Sequence, residues 1–166
     1  MVTVLNRQRG TRVEPAGLAR RAQACLCELG IPNAELCIVL VSDRSIQRLN
    51  RKYLGRSGPT DVIAFPMREG CGSDLNPEVL GDVVVSVETA GRHARARRVP
   101  LEEEIDLLVA HGLLHLLGYD HSGAGKDASR MFRKQRSLAG VMRREAARHA
   151  KRYPAKGRVG PSAPAR

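Results

Sequence analysis

One stretch constrains this chain more than any other: His111-Gly112-Leu113-Leu114-His115-Leu116-Leu117-Gly118-Tyr119-Asp120-His121. It holds three of the five histidines, spaced H-x3-H-x5-H. Residues four apart on an α-helix sit one turn above each other, with Cβ atoms roughly 6 Å apart, so His111 and His115 can reach one metal ion. A continued helix would carry His121 away from that face. Gly118 can take the left-handed conformation that ends a helix, letting the chain fold back and offer His121 to the same ion. Three imidazoles with a fourth position open is a catalytic zinc arrangement; structural zinc sites are closed by four ligands. A lone pair of histidines one turn apart can be a coincidence of partly buried polar residues. Three, with a helix terminator where the geometry needs one, point to a metal.

The spacing also resembles the metzincin proteases, H-E-x-x-H-x-x-G-x-x-H, in which the Glu after the first His is the general base. Here that position is Gly112, which has no side chain. A peptidase would lack its proton acceptor. Phosphodiester cleavage needs charge stabilisation on phosphoryl oxygens instead, which a metal and an arginine supply.

The rest of the chain reads as alternating elements. Val2 to Leu5 is a short strand, and Ala16 to Leu29 a helix with Leu18, Ala22, Cys25, Leu26 and Leu29 on one stripe. Glu35 to Val41 is a buried strand. Ser42 or Asp43 caps a helix with Ile46, Leu49 and Tyr53 expected inward. Gly55 to Pro59 is a loop, Asp61 to Phe65 a strand, Arg68 to Glu78 a surface loop. Gly81 to Val87 is a strand running into a helix capped at Ser86. His93, among arginines, reads as a solvated residue. Pro100 and Glu102 to Glu104 suit the start of the apolar histidine helix. Asp127 to about Ala150 is a basic helix with Met131, Leu138 and Met142 as packing residues. One domain, 1–150, with a basic, disordered tail, 151–166, is expected.

Charge is unevenly placed. Residues 126–166 hold 13 of the 28 Lys and Arg but only Asp127 and Glu145 as acids, so the whole formal excess of +11 follows the histidine motif. Such a segment favours phosphate backbones, or it is simply a solvated, solubilising face. No run approaches the ~18 apolar residues of a membrane span, and the N-terminus is too short and polar for a signal peptide. Cys25, Cys27, Cys37 and Cys71 form no C-x2-C pair, which suits buried thiols in a reducing cytoplasm rather than a disulfide framework.

The histidine stretch resembles the signature of the YbeY family, H-G-x-L-H-L-x-G-Y-D-H, at every fixed position. Pro59-Thr60-Asp61-Val62-Ile63-Ala64-Phe65-Pro66 resembles the family's P-T-[DN]-V-L-S-F-P, and Leu80-Gly81-Asp82-Val83-Val84-Val85-Ser86 its L-G-D-I-x-I-S. Order and spacing agree from roughly residue 35 to 122. The resemblance implies an α+β fold: a mixed, mostly four-stranded sheet flanked by helices, with a central helix carrying the metal-binding histidines. It implies His111, His115 and His121 as ligands of one zinc ion per chain. The implied activity is that of a metal-dependent, single-strand-specific endoribonuclease of late ribosomal RNA maturation (16S rRNA 3′ end) and ribosome quality control. The partners would be ribosomal RNA and ribosomal particles, with ribosomal proteins or assembly GTPases as further ones.

The chain departs from the family at one catalytic position. The pattern Y-R-x-x-D-x-P-T has Leu54 here in place of its Arg, and Ser57 in place of its Asp. Arg56, two residues on, is the candidate substitute; the alternative is a solvent-facing loop residue. Asp120 can orient an imidazole, handle a proton or stabilise the turn. Two rival functions are a non-catalytic, zinc-containing RNA-binding assembly factor, favoured by Leu54, and a zinc peptidase, disfavoured by Gly112.

Overall fold

The computed structural model describes residues 1–67, 78–119 and 126–153. The elements run β1 (Val2–Asn6), α1 (Pro15–Glu28), β2 (Glu35–Val41), α2 (Asp43–Leu54), β3 (Val62–Pro66), β4 (Val79–Ser86), α3 (Val87–Arg97), α4 (Leu101–Leu116) and α5 (Lys126–Arg152). The strands form one mixed sheet in the order β1-β2-β4-β3. β1, β2 and β4 are parallel, and β3 returns antiparallel to β4 as an edge strand. This is the expected α+β architecture. Among the described residues no helix is long and apolar enough to cross a membrane.

Period-two alternation sorts the strands between two cores. Leu36, Ile38 and Leu40 of β2 and Val83 and Val85 of β4 face the larger core, with α1, α4 and α5. Val41 and Val84 face the opposite side, where Ile46 of α2 and Ile63 of β3 meet them. α4 therefore lies across β3 and β4 with helices around it. Arg21 of α1 grips Asp106 of α4 through two-pronged contacts of 2.8 to 3.0 Å, tying the outer helix to the central one.

Two glycines are dictated by backbone. At Gly81 φ is +133°, and a Cβ there would lie 2.1 Å from the Phe65 carbonyl oxygen. Leu80 bulges out of the β2–β4 register beside it, with Glu35 opposite Val79 and Leu36 opposite Gly81. Gly118 has φ +79° and ends α4 in a Schellman arrangement: its own N–H donates to the His115 carbonyl (2.9 Å) and that of Tyr119 to Leu114 (3.0 Å).

The main correction to the sequence reading concerns α2. Tyr53, expected inward, is 55% exposed and packs edge-on against Phe65, with centroids 5.2 Å apart. Asn50 takes the buried position instead, because its side-chain amide has a partner inside: it donates to the Gly58 carbonyl at 3.0 Å. Ser42 is the N-cap of α2, accepting from the Ser45 N–H. Met131, Leu138 and Met142 of α5 are buried as expected, and α5 runs to Arg152. The surface loop expected at 68–78 falls, up to residue 77, outside the described residues, as do Cys71 and 154–166. The other three cysteines are free thiols. Cys25 is buried as expected, which pushes its pKa up to about 12; Cys27, expected buried, is exposed because it lies on another face of α1, and Cys37 is half-buried.

Candidate metal centre and active site

α4 is apolar on nearly every side and begins with Glu102, Glu103 and Glu104, whose charges suit its positive end. Its burial makes it a rigid base for the two histidines in its last two turns. The Nε2 atoms of His111 and His115 lie 3.1 Å apart, with the rings at 74° to each other. Two imidazole nitrogens on one tetrahedral zinc, at the usual ~2.0–2.1 Å, stand about 3.3 Å apart. The pair thus fits a shared ion with a few tenths of an ångström of adjustment. Among the described residues no group of three or more His, Cys, Asp or Glu is placed to hold a metal. The expected third ligand, His121, and Asp120 lie outside the described residues.

Gly112, next to the first histidine, is pressed onto the sheet. A Cβ built there would stand 2.6 Å from Cγ1 of Val83 and 3.3 Å from Cγ2 of Val62. The missing side chain is what lets α4 lie this close to β3 and β4.

The histidine pair opens into a cleft of about 560 Å3, bounded also by β3 and by the loop after α2. Arg56 and Leu54 both line it, so the structure brings the arginine candidate and the position it would replace to the same cavity as the histidines. Both are exposed: Leu54, the last residue of α2, at 49%, and Arg56 in the loop that follows. The loop between them and β3 is held at three points. Gly55 ends α2 in the left-handed conformation, Asn50 binds Gly58, and the Asp61 carbonyl accepts the Ser86 N–H at 2.9 Å. The Asp61 carboxylate then takes the Val62 N–H at 2.8 Å and the Thr60 hydroxyl at 3.3 Å.

Two positioning residues were missed from sequence. Gln135 of α5 is buried, and its Oε1 stands 3.3 Å from Nδ1 of His111. Its own amide donates to the Leu107 carbonyl at 3.4 Å, which turns the oxygen toward the imidazole. Asn50 is the other. In both cases the available signal was a polar residue at a helix position whose neighbours in the 3.6-residue period are apolar. His93 is half-exposed, as expected, and stands 3.9 Å from Asp61 and 3.8 Å from Glu104. A larger cavity, about 800 Å3 between α1, β1 and α5, carries no histidine.

Comparison with known proteins places this arrangement. Residues 4–143 match the family described as Endoribonuclease YbeY. The chain belongs to the YbeY family. It is 43% identical over 146 residues to the Endoribonuclease YbeY of Syntrophotalea carbinolica, covering 87% of this chain and 97% of that protein. It is 41% identical over 142 residues to that of Geobacter sulfurreducens, covering 85% and 95%. The solution structure of TM1509 from Thermotoga maritima superposes with a TM-score of 0.63 at 27% identity, over 95% of this chain and 100% of that one. The YbeY match takes in the strand-and-loop segment bearing Arg56, both α4 histidines and Gln135, so the whole cleft lies inside the family domain.

Proposed function

We propose that this YbeY-family nuclease, which acts on RNA phosphodiester bonds, is a zinc-dependent, single-strand-directed endoribonuclease. Its place would be late ribosomal RNA maturation, at the 16S rRNA 3′ end, and ribosome quality control in the cytoplasm. The observation that carries the reading is the convergence of two imidazole nitrogens, 3.1 Å apart, on a cleft that Arg56 also lines. His111, His115 and His121 would hold the zinc. Bound there, the ion would supply a Lewis acid for the phosphoryl oxygens and acidify water toward neutral pH.

The chain's own groups have separable tasks. Gln135 holds His111 with Nε2 directed into the cleft. Arg56, carried on a loop anchored by Asn50, is placed to meet the negative charge that grows on phosphoryl oxygens during cleavage. Gly112 leaves no proton acceptor after the first histidine, which disfavours peptide hydrolysis. α5 presents Arg130, Arg133 and Arg136 to solvent, a cationic face suited to a phosphate backbone.

One rival keeps a specific observation. Leu54 stands where the family pattern has arginine and lines the cleft, which favours a zinc-containing assembly factor that binds RNA without cutting it. The deciding experiment is metal analysis and RNA cleavage on the same full-length preparation, with single-stranded and structured substrates. One zinc per chain, loss of most of it in His115→Ala, and cleavage of single-stranded RNA are expected. Tight RNA binding with zinc loaded and the RNA intact would establish the assembly factor; full zinc occupancy in His115→Ala would remove the metal centre.

A further inference from the structure

A second cavity, about 400 Å3, adjoins the cleft. Asp61 and His111 line both, so the two spaces meet at these two side chains. Its volume is within the range of small-ligand sites. Ala96 of α3 and Leu107 and Leu108 of α4 give it apolar walls, and Phe132 of α5 stands at its rim.

Phe132 is 64% exposed. A single exposed apolar side chain is ordinary on a protein surface; its setting gives this one meaning. The chain has only two phenylalanines, and the other, Phe65, is engaged by Tyr53. The buried stripe of α5 runs through Met131, Gln135, Leu138 and Met142, so Phe132 sits one step off the stripe and contributes nothing to the core. Its neighbours on the exposed face are basic: Arg130, Arg133 and Arg136. An aromatic ring beside cations, lining a cavity that shares His111 and Asp61 with the cleft, is the combination that binds a single-stranded nucleic acid by stacking.

The polar groups of the cavity decide which part of a nucleotide enters. Glu104 is taken by Arg97, at 3.0 and 3.3 Å. Asp61 spends Oδ1 on Val62 and Thr60, while among the described residues Oδ2 faces His93, at 3.9 Å. With Glu104 neutralised by Arg97, the walls carry the Asp61 carboxylate and apolar side chains. They suit a flat, neutral group with an N–H edge, and a carboxylate is a natural acceptor for an exocyclic base amine.

We propose that this cavity is a nucleobase subsite for the nucleotide next to the scissile phosphate, with the base stacked on Phe132 and its N–H edge turned to Asp61. The proposal rests on the reading of the cleft as an RNA-cleaving centre, and names where the strand's flanking base goes.

The test is a set of short single-stranded RNAs in which 2-aminopurine replaces one base at a time. They are mixed rapidly with full-length protein and read by fluorescence before any cleavage. Quenching confined to one position beside the cut is expected. Phe132→Ala should abolish it and weaken binding by roughly 5- to 100-fold, the scale of one lost base–aromatic stack. Phe132→Trp should restore both. Because Phe132 lies outside the core, circular dichroism should be unchanged in either variant. Equal quenching and affinity in Phe132→Ala and wild type would overturn the subsite, whatever the cleavage rate. Binding with quenching but no cleavage would leave the subsite standing and overturn the nuclease reading of the cleft. Absence of RNA binding altogether would overturn both.

Discussion

Nδ1 of His111 and Oε1 of Gln135 lie 3.3 Å apart, joining the last turns of α4 to the middle of α5. An imidazole that donates from Nδ1 presents the lone pair of Nε2, the atom facing His115. Gln135 thereby fixes both the tautomer and the ring orientation of the first histidine.

Gln135→Leu keeps the volume and removes the acceptor. Zinc affinity measured by chelator competition should fall by roughly 10- to 100-fold, the usual cost of losing a partner behind a metal-binding histidine. Gln135→Glu, which still accepts, should retain most of it. Unchanged affinity in the leucine variant would show that the contact orients nothing.

Arg56→Ala should lower the RNA cleavage rate by roughly 10²-fold or more, as when one transition-state donor is removed. Zinc content and thermal stability should stay at wild-type levels, since the residue is exposed and outside the core. Leu54→Arg, made in the Arg56→Ala background, should recover part of the rate because both positions line the same cleft. Wild-type kinetics in Arg56→Ala would leave Arg56 without a catalytic role.

Gly112→Ala should destabilise the fold by about 1–3 kcal/mol, the range for overpacking a close-packed interior. The added methyl meets Val83 at 2.6 Å, and that residue is itself buried. Val83→Ala in the same chain should recover part of the loss. Urea midpoints of the four proteins give the coupling directly; strict additivity would mean that the two side chains do not meet.

Asp43 supplies a pH-dependent term. It accepts hydrogen bonds from Ser86, Thr89 and Arg92, fastening the start of α2 to α3. Partial burial pushes its pKa up, but these three partners outweigh it and hold the carboxyl below its ordinary 3.8. A depressed carboxylate stabilises the fold above its unfolded pKa, and the contribution is lost as pH falls through the folded value. The stability gap between wild type and Asp43→Asn should therefore be constant above about pH 5 and close progressively below about pH 4. A gap that persists undiminished at the acid end would assign it to packing rather than charge.

Part of the candidate site was legible because helical spacing fixes which side chains meet. His111 and His115 are one helical turn apart in sequence and meet in space. Gly118 has the positive φ that a helix stop requires. Glu35–Val41 could be read as a strand because its apolar run is bounded by turn residues. Asn50 and Gln135 escaped for a shared reason. Each is polar at a buried helical position, and its partner lies in another segment: the Gly58 carbonyl for one, His111 for the other. Periodicity ranks side chains by polarity and carries no information about where a compensating group will arrive. It therefore turned α2 toward Tyr53 and passed over the residue that anchors the Arg56 loop.

Gly112 has a consequence for how this fold diversifies. The side chain that would give the cleft the general base of a zinc peptidase has to enter where Val83 and Val62 already stand. A single codon change at that position adds a carboxylate and at the same time presses the histidine-bearing helix away from the sheet, and so from the cleft that Arg56 also lines. In this scaffold a side chain after the first histidine has to be preceded by room made at Val83 and Val62, so the packing of helix on sheet limits what that position can become.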